Sequence, residues 1–141
     1  MEYAYTISQD GDFYHASCRE IPELKEHIFK SEEDIDRRLY TVFFTILEHF
    51  YRREGRPVPL PLPIGDSKTV IDVDGVLQAK ILLWNYLQEQ DLTVSWLSRK
   101  AGLSRQAAQR IIEFTNNGSF SKVEELLHAL GLVAHVTIEK F

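Results

Sequence analysis

Residues 93–111 read TVSWLSRKAGLSRQAAQRI, and this stretch decides the fold of the second half of the chain. Thr93 and Ser104 each stand before a helical run, where a hydroxyl side chain can cap the free N–H groups of a helix. Gly102 lies between the two runs, and glycine readily adopts the positive φ that a tight turn needs. The spacing predicts a helix-turn-helix.

The second of these helices carries side chains that can contact DNA bases and phosphates. Arginine pairs with O6 and N7 of guanine, glutamine pairs with N6 and N7 of adenine, and a helix N-terminus binds phosphate. The stretch is also similar to the helix-turn-helix of phage repressors along its full length. We expect a DNA-contact surface, against the plainer alternative of a solvated helix face with a few charges. The expected contact residues are Thr93, Arg99, Lys100, Ser104, Arg105, Gln106, Gln109 and Arg110.

The overall charge conceals a division of the chain. Its 141 residues include 16 Lys and Arg against 21 Asp and Glu, and the resulting net charge of −5 by itself argues against nucleic-acid binding. Residues 1–66 carry 8 basic and 13 acidic side chains, whereas residues 67–141 carry 8 of each. Residues 98–110 hold four cations and no acid. The DNA prediction is therefore confined to the second half.

A proline-rich segment separates the halves. Residues 56–63 read RPVPLPLP and hold four of the chain's five prolines at alternate positions. Proline fixes its own φ and pushes the preceding residue toward an extended conformation, so we expect a stiff strap. Its valine and leucines favour packing against a surface. We predict a binding module over residues 1–56, the strap over 57–68, and a helix-turn-helix DNA-binding and dimerisation domain over 69–141.

The first half has the pattern of a small sheet packed on one helix. Strand-like segments occur at residues 3–8, 13–18 and 27–29. The Asp10-Gly11 pair favours a tight hairpin between the first two strands. Ser31 is a good cap for a helix of about 22 residues, whose apolar stripe includes Phe50 and which Gly55 can end. The free sheet edge either accepts another protein's strand or is protected in an oligomer.

The rest of the second half completes an α+β fold with a helical C-terminal domain. A short strand at 70–73 and a helix at 76–88 precede the helix-turn-helix, and Ser121 is expected to cap a last helix over 121–130. Residues 132–138 then alternate partly as a strand. Such a lone strand needs a partner, which is either 70–73 or the same strand across a twofold axis. The second choice predicts a homodimer or tetramer.

One motif raises the question of catalysis. Residues 70–77 read VIDVDGVL, which is similar to the first motif of haloacid-dehalogenase-type phosphatases, with Asp72 as nucleophile and Asp74 as general acid and base. That chemistry needs a parallel sheet and further acids, whereas the residues that follow have helical patterns. The five histidines lack metal-ligand spacing, and Cys18 fits a packed strand. We therefore expect no enzyme, no catalytic residue, no metal and no cofactor.

The sequence also favours one cellular compartment. A single cysteine excludes an intramolecular disulfide and fits a reducing environment. No apolar run approaches the roughly 20 residues that span a bilayer. The first residues, MEYAY, lack the basic and apolar regions of a signal peptide. We expect a cytoplasmic protein without a membrane partner.

Taken in order, these segments resemble the HicB family of antitoxins over nearly the whole chain. The resemblance is carried by the strand and hairpin at 1–11, Glu20-Ile21-Pro22-Glu23, the strap at 58–61, VLQAKILL at 76–83, and Ala129-Leu130-Gly131-Leu132. It implies an N-terminal module, a reduced RNase H-like fold, that binds HicA, a small basic mRNA-cleaving toxin. It also implies a C-terminal domain that represses the operon by binding its DNA. The acid excess of residues 1–66 fits a basic partner.

The chain departs from the family around the start of its first helix. Phe29-Lys30-Ser31 stands where the family usually has a glycine, and Ile35 and Asp36 replace its usual alanines. The alternative function is a stand-alone transcriptional regulator, or a protein-interaction module without a toxin partner.

Overall fold

The computed structural model describes residues 1–140, and the chain forms two compact units. The first is Met1–Val73, and the second begins at Asp74. Short strands lie at the start of the chain, and the described residues contain five α-helices. These elements confirm the predicted α+β class.

The first unit contains four short strands. They are β1 (Glu2–Ala4), β2 (Thr6–Asp10), β3 (Phe13–Ser17) and β4 (Val70–Asp72). β2 and β3 form the predicted antiparallel hairpin, which turns through Gly11 at a φ of 60°. A 3₁₀ helix follows at Pro22–Glu26. The predicted third strand is reduced to a single bridge between Tyr14 and Phe29.

Strand β4 corrects one expectation. The sequence pattern assigns residues 70–73 to the C-terminal domain, but β4 pairs antiparallel with β1 and places Tyr3 opposite Ile71. The N–H of Val73 also donates to the Met1 carbonyl at 2.9 Å. Tyr3 and Ile71 are both buried. A three-residue strand has no local feature that selects its partner, so the choice depends on the burial that tertiary packing offers.

A long helical segment follows the bridge. Helix α1 (Glu32–Leu47) begins where predicted, because the Ser31 hydroxyl oxygen caps its N-terminus. It continues as a π-helical turn over Glu48–Arg52. This turn corrects the predicted apolar stripe: its wider spacing leaves Phe50 44% exposed and buries Tyr51 instead.

The proline-rich strap lies on the first unit. Gly55 ends the preceding helical segment with a φ of 68°. Beyond it, the Val58 side chain is buried, and the Tyr3 hydroxyl donates to the Pro59 carbonyl at 2.7 Å. The Leu60 side chain remains half exposed. The buried Val58 side chain and this hydrogen bond thus anchor the strap near its start.

The described part of the second unit, residues 74–140, contains four helices. They are α2 (Gly75–Glu89), α3 (Val94–Ala101), α4 (Arg105–Ile112) and α5 (Phe120–Ala129). Each begins at a side chain that accepts the N–H of the third helical residue, and the capping residues are Asp74, Thr93, Ser104 and Ser119. Ser119 takes the place of the predicted cap Ser121, so α5 begins one residue early. The core includes Leu77, Ile81, Leu87, Leu97, Ala108, Ile112, Val123 and Leu126.

The predicted C-terminal strand is not formed within this chain. Residues 130–140, the described part after α5, contain no strand, and the Val133, Val136 and Ile138 side chains are exposed. A strand needs a hydrogen-bonding partner; of the two alternatives, the intramolecular one is not used, since β4 pairs with β1 and with no other described strand. Within residues 1–140, no helix is long and apolar enough to cross a membrane.

Candidate nucleic-acid interface

The turn between α3 and α4 is closed by backbone hydrogen bonds. Gly102 adopts a φ of 71°, and the Leu103 N–H donates to the Ser98 carbonyl at 2.8 Å. Ser98 is buried, and its small side chain permits close packing at the turn. Its hydroxyl donates to the Ser95 carbonyl at 2.7 Å, which satisfies the buried polar group. These contacts form the predicted helix-turn-helix.

Helix α4 buries one side and presents polar groups on the other. Ala108 and Ile112 have no exposed surface. Four predicted contact residues line one shallow concave surface, together with Glu113: Arg105, Gln106, Gln109 and Arg110. The structure thus brings together the predicted residues of this helix.

The two predicted capping hydroxyls act at helix N-termini. The Ser104 hydroxyl oxygen accepts the Ala107 N–H at 3.1 Å, and the Thr93 hydroxyl oxygen accepts the Trp96 N–H at 3.0 Å. Each hydroxyl keeps its own hydrogen for an outside acceptor such as a phosphate oxygen. Thr93 also lines a second shallow surface with Arg105, which joins the start of α3 to the start of α4.

Arg99 and Lys100 lie apart from these groups. Both are exposed in the last turn of α3, at the opposite end of that helix from Thr93. At this position their positive charges interact favourably with the negative end of the helix dipole. Among residues 1–140, no carboxylate forms an ion pair with Arg99, Lys100, Arg105 or Arg110. These four cations are therefore not held in ion pairs by the described part of the chain, and Glu113 is the one acid that lines the α4 surface with Arg105 and Arg110.

Lys80 is a supporting residue that sequence reasoning missed. Its side chain on α2 is 1% exposed, and its Nζ donates to the carbonyls of Glu113 at 2.8 Å and Asn116 at 2.7 Å. The Asn116 side-chain amide in turn donates to the Arg110 carbonyl at 3.0 Å. Together they satisfy carbonyls at and beyond the end of α4. A lysine within the apolar stripe of α2 was the available signal.

The motif with Asp72 and Asp74 has a structural explanation. The Asp74 carboxylate accepts the Leu77 N–H at 2.9 Å and caps α2. Asp72 is exposed at the end of β4. This strand pairs antiparallel with β1, whereas the phosphatase motif needs a parallel sheet. Cys18 is buried, and burial raises the pKa of its thiol. Within the described residues, no three His, Cys, Asp or Glu side chains are grouped to hold a metal ion.

The first unit uses its arginines differently, beginning with a network around Asp34. That buried carboxylate accepts the Lys30 N–H at 3.0 Å and pairs with Arg38 at 2.9 Å and Arg37 at 3.1 Å. These groups, the Lys30 N–H first, hold the pKa of Asp34 below its usual value. Arg38 also lies 3.0 Å from Nε2 of His27, whose pKa is lowered by burial and by that guanidinium.

A second carboxylate is enclosed more completely. Glu48 in the π-helical turn has no exposed surface, and it pairs with the buried Arg52 and with Arg53 at 3.3 Å. Other acids of this unit are exposed and form no ion pair within residues 1–140, namely Asp10, Asp12, Glu32, Glu33 and Asp36. The charge left exposed on the first unit is therefore mainly negative.

Several known proteins are similar to this chain over nearly its whole length, and they share one name. No family model matches the chain. Antitoxin HicB of Pseudomonas fluorescens (strain Pf0-1) is 27% identical over 144 residues, which cover 99% of this chain and 94% of that protein. Antitoxin HicB 1 of Photorhabdus laumondii subsp. laumondii is 26% identical, with 99% and 88% covered. Antitoxin HicB of Escherichia coli (strain K12) is 26% identical, with 93% and 94% covered.

These matches support a HicB-family antitoxin. Because they cover nearly the whole chain, they include both the strand-rich first unit and the helical second unit. The HicB relatives support an antitoxin role within a toxin–antitoxin system.

Proposed function

We propose that this HicB-like protein neutralises a HicA-like mRNA-cleaving toxin and represses its own operon. The first unit would bind the toxin, and the second would bind operator DNA and dimerise. The observation that carries the DNA-binding half is the polar surface of α4, where Arg105 and Arg110 form no ion pair with a carboxylate of residues 1–140, although Glu113 lines the same surface. The proposal assigns the protein to the cytoplasm, with no catalytic activity and no cofactor.

The helix-turn-helix suggests a specific docking mode. Helix α4 would lie in the major groove, with Arg105 and Gln106 of its first turn against base edges. Thr93 and Ser104 would hydrogen-bond phosphate oxygens through their free hydroxyl hydrogens, and Arg99 would contact the phosphate backbone. Gln109, Arg110 and Lys100 complete the proposed contact set.

Operator binding of this type favours a symmetric assembly. Two copies would place their α4 helices in successive major grooves, roughly 34 Å apart. The exposed alternating apolar residues of the C-terminal segment, Val136 and Ile138 among them, are available to pair across a twofold axis. A homodimer, or a tetramer built from dimers, fits this requirement.

The toxin-binding half rests on charge and similarity. Residues 1–66 carry the whole acid excess of the chain, and complementary charge steers association with a basic protein. The strap lies on the same unit and leaves Leu60 and Leu62 about half exposed. Both the negative charge and the apolar surface are available to a partner.

Operator binding is tested with the full chain and the DNA upstream of its gene. Arg105→Ala should weaken specific binding by roughly 1–3 kcal/mol, measured by fluorescence anisotropy at several salt concentrations. Lys122→Ala is the matched control, because Lys122 is exposed on α5 outside the contact set. A wild-type chain that shows no salt-dependent DNA binding would contradict the repressor function.

Toxin binding is tested by co-expression with the neighbouring small basic open reading frame. The two proteins should co-purify, and co-expression should relieve the growth arrest that the basic protein causes alone. If DNA binding persists while no neighbouring protein is bound, the chain acts as a stand-alone regulator instead.

A further inference from the structure

The hairpin and the Tyr14–Phe29 bridge form a layer with two different faces. Side chains alternate between the faces along a strand, and residues paired across strands share a face. Ala16 and Phe29 have no exposed surface, and Tyr14 is partly buried. These three therefore define the inner face, against the core of the first unit.

The outer face carries two large apolar side chains in the open. Phe13 precedes Tyr14 and is 50% exposed, and Ile28 precedes Phe29 and is 53% exposed. In an antiparallel pairing these positions are diagonal neighbours, about 7–8 Å apart and within reach of an aromatic ring. His15 lies on the same face, with its Nδ1 2.8 Å from the Lys25 carbonyl.

The rim of this patch is acidic. Asp10 is directly opposite Phe13 in the β2–β3 ladder, and Asp12 stands in the turn beside it. Neither forms an ion pair within residues 1–140. Lys30, which follows Phe29, contributes one cation to the same face. The patch thus combines an apolar centre with exposed carboxylates.

The net charge of the first unit indicates which kind of protein can bind this patch. Residues 1–73 carry 9 Lys and Arg against 14 Asp and Glu, so a second copy of this unit would bring like charges together. A basic protein would instead gain electrostatic attraction around an apolar contact. Phe50 is similarly exposed at 44%, but His49 and Arg53 flank it, and Arg56 donates to its carbonyl at 3.0 Å. Phe50 therefore lacks the acidic rim.

We propose that the outer face centred on Phe13 and Ile28, with Asp10 and Asp12 at its rim, is the surface on which the basic toxin docks. This inference rests on the proposed antitoxin function and assigns its contact surface. The Phe13 and Ile28 side chains supply the apolar centre. Asp10 and Asp12 meet Lys or Arg side chains of the toxin.

The test titrates full-length protein with the small basic protein encoded beside its gene, in calorimetry. Phe13→Ser should weaken the complex by roughly tenfold or more, as expected for truncation of a central aromatic contact. Phe50→Ser, the control with equal chemistry and similar exposure, should bind as the wild type does. Asp10→Asn should weaken binding at low salt and have less effect at high salt. Thermal melts confirm that each variant is folded.

Failure of the inference and failure of the proposed function give different results. If the wild type binds and Phe13→Ser and Ile28→Ser bind equally well, the toxin docks elsewhere and the inference is wrong while the antitoxin function stands. If the wild type does not bind the basic protein, the toxin-binding function fails, and this inference fails with it. If Phe13→Ser changes only the sedimentation of the protein alone, the patch joins copies of this chain and the inference is wrong.

Discussion

The two units use arginine in opposite ways. In the first unit every arginine forms an ion pair with a nearby carboxylate: Arg19, Arg37, Arg38, Arg52, Arg53 and Arg56. In the second unit, Arg99, Arg105 and Arg110 pair with no carboxylate among residues 1–140. In the first unit the arginines are thus held in ion pairs and several acids remain unpaired. In the second unit the arginines remain unpaired and can contact a partner.

This difference explains why the whole-chain charge is a poor guide. The net charge of −5 averages a surface with exposed acids and a surface with exposed cations. Buried pairs such as Arg52 and Glu48 contribute nothing to either surface. What matters for a partner is which charges remain unpaired, and only the structure separates paired from unpaired groups.

Removal of a buried, paired arginine should have the largest effect on the first unit. Arg52→Met removes the buried guanidinium that pairs with the buried Glu48 carboxylate, while Arg53, which is about half exposed, still pairs with it. Removing one partner of a buried pair costs about 3–5 kcal/mol, and we expect the first unit to lose about that much stability. Both tryptophans, Trp84 and Trp96, lie in the second unit. The midpoint of urea unfolding followed by circular dichroism should therefore move to lower urea. The midpoint followed by tryptophan fluorescence should stay unchanged.

Arg19→Met is the control for this experiment. Arg19 lies 3.9 Å from Glu20; the Arg19 side chain is 70% exposed, whereas that of Glu20 is 4% exposed. A solvated guanidinium at this distance compensates little of the neighbouring charge, so the unfolding curve of Arg19→Met should shift much less than that of Arg52→Met. Equal curves for Arg52→Met and Arg19→Met would contradict a stabilising role for the buried pair.

The second unit has one buried cation, and it supports the candidate site. Lys80→Met preserves much of the side-chain volume but leaves the Glu113 and Asn116 carbonyls without the ammonium. Hydrogen bonds to a charged group are worth about 1.5–3 kcal/mol, so the tryptophan transition should move to lower urea. Amide hydrogen exchange at the end of α4 should also accelerate. Lys122→Met, on the exposed surface of α5, should change neither.

The unpaired cations should act on DNA rather than on stability. Arg99→Gln and Lys100→Gln should each reduce the slope of log Kobs against log salt by about 1 if each contacts one phosphate. Their unfolding curves should match the wild type. Lys122→Gln should leave the slope unchanged. An unchanged slope in Arg99→Gln and Lys100→Gln would remove the last turn of α3 from the DNA contacts.

The smallest expected effect is a pH dependence in the paired network of the first unit. Burial and Arg38 lower the pKa of His27, so the unfolded chain binds a proton there more readily than the folded one. Stability should be complete above about pH 6.5, the usual histidine value, and should decline as the pH falls through the lowered pKa. The nearby Asp34 carboxylate raises that pKa and limits the decline. Urea unfolding between pH 5 and pH 7.5, followed by circular dichroism, measures it.

His27→Gln should remove this pH dependence, and His135→Gln, which changes an exposed histidine, should retain it. Asp34 affects stability in a separate, more acidic pH range. Its pKa is lowered in the folded state, so its contribution is present above about pH 4 and is lost only as the pH falls further. A decline that survives in His27→Gln would assign the effect to another group.

Local chemistry made much of the second unit predictable. Thr93, Gly102 and Ser104 act through hydrogen bonds and φ values within a few residues of themselves, and all three take the positions expected from the sequence. The same holds for Ser31 in the first unit. Ser121 failed as a cap because Ser119, two residues earlier, offered the same chemistry.

Long-range choices were the ones that the sequence could not settle. β4 pairs with β1 across about 70 residues of chain, and no motif in either segment selects the other. The π-helical turn exchanged Phe50 for Tyr51 in the core, although both are aromatic and both suit a helix. Lys80 was assigned no role because its partners are backbone carbonyls, which carry no sequence signal.

The sequence alone was enough to predict most of the helices, the caps at Ser31, Thr93 and Ser104, the turn at Gly102 and the grouping of polar residues on α4, because these depend on interactions between near neighbours. The tertiary structure decided which strand β4 joins, which carboxylates neutralise the arginines, and which charges and apolar side chains stay exposed. Those outcomes depend on contacts between residues far apart in the chain, where burial and hydrogen-bond partners become available only once the unit has folded.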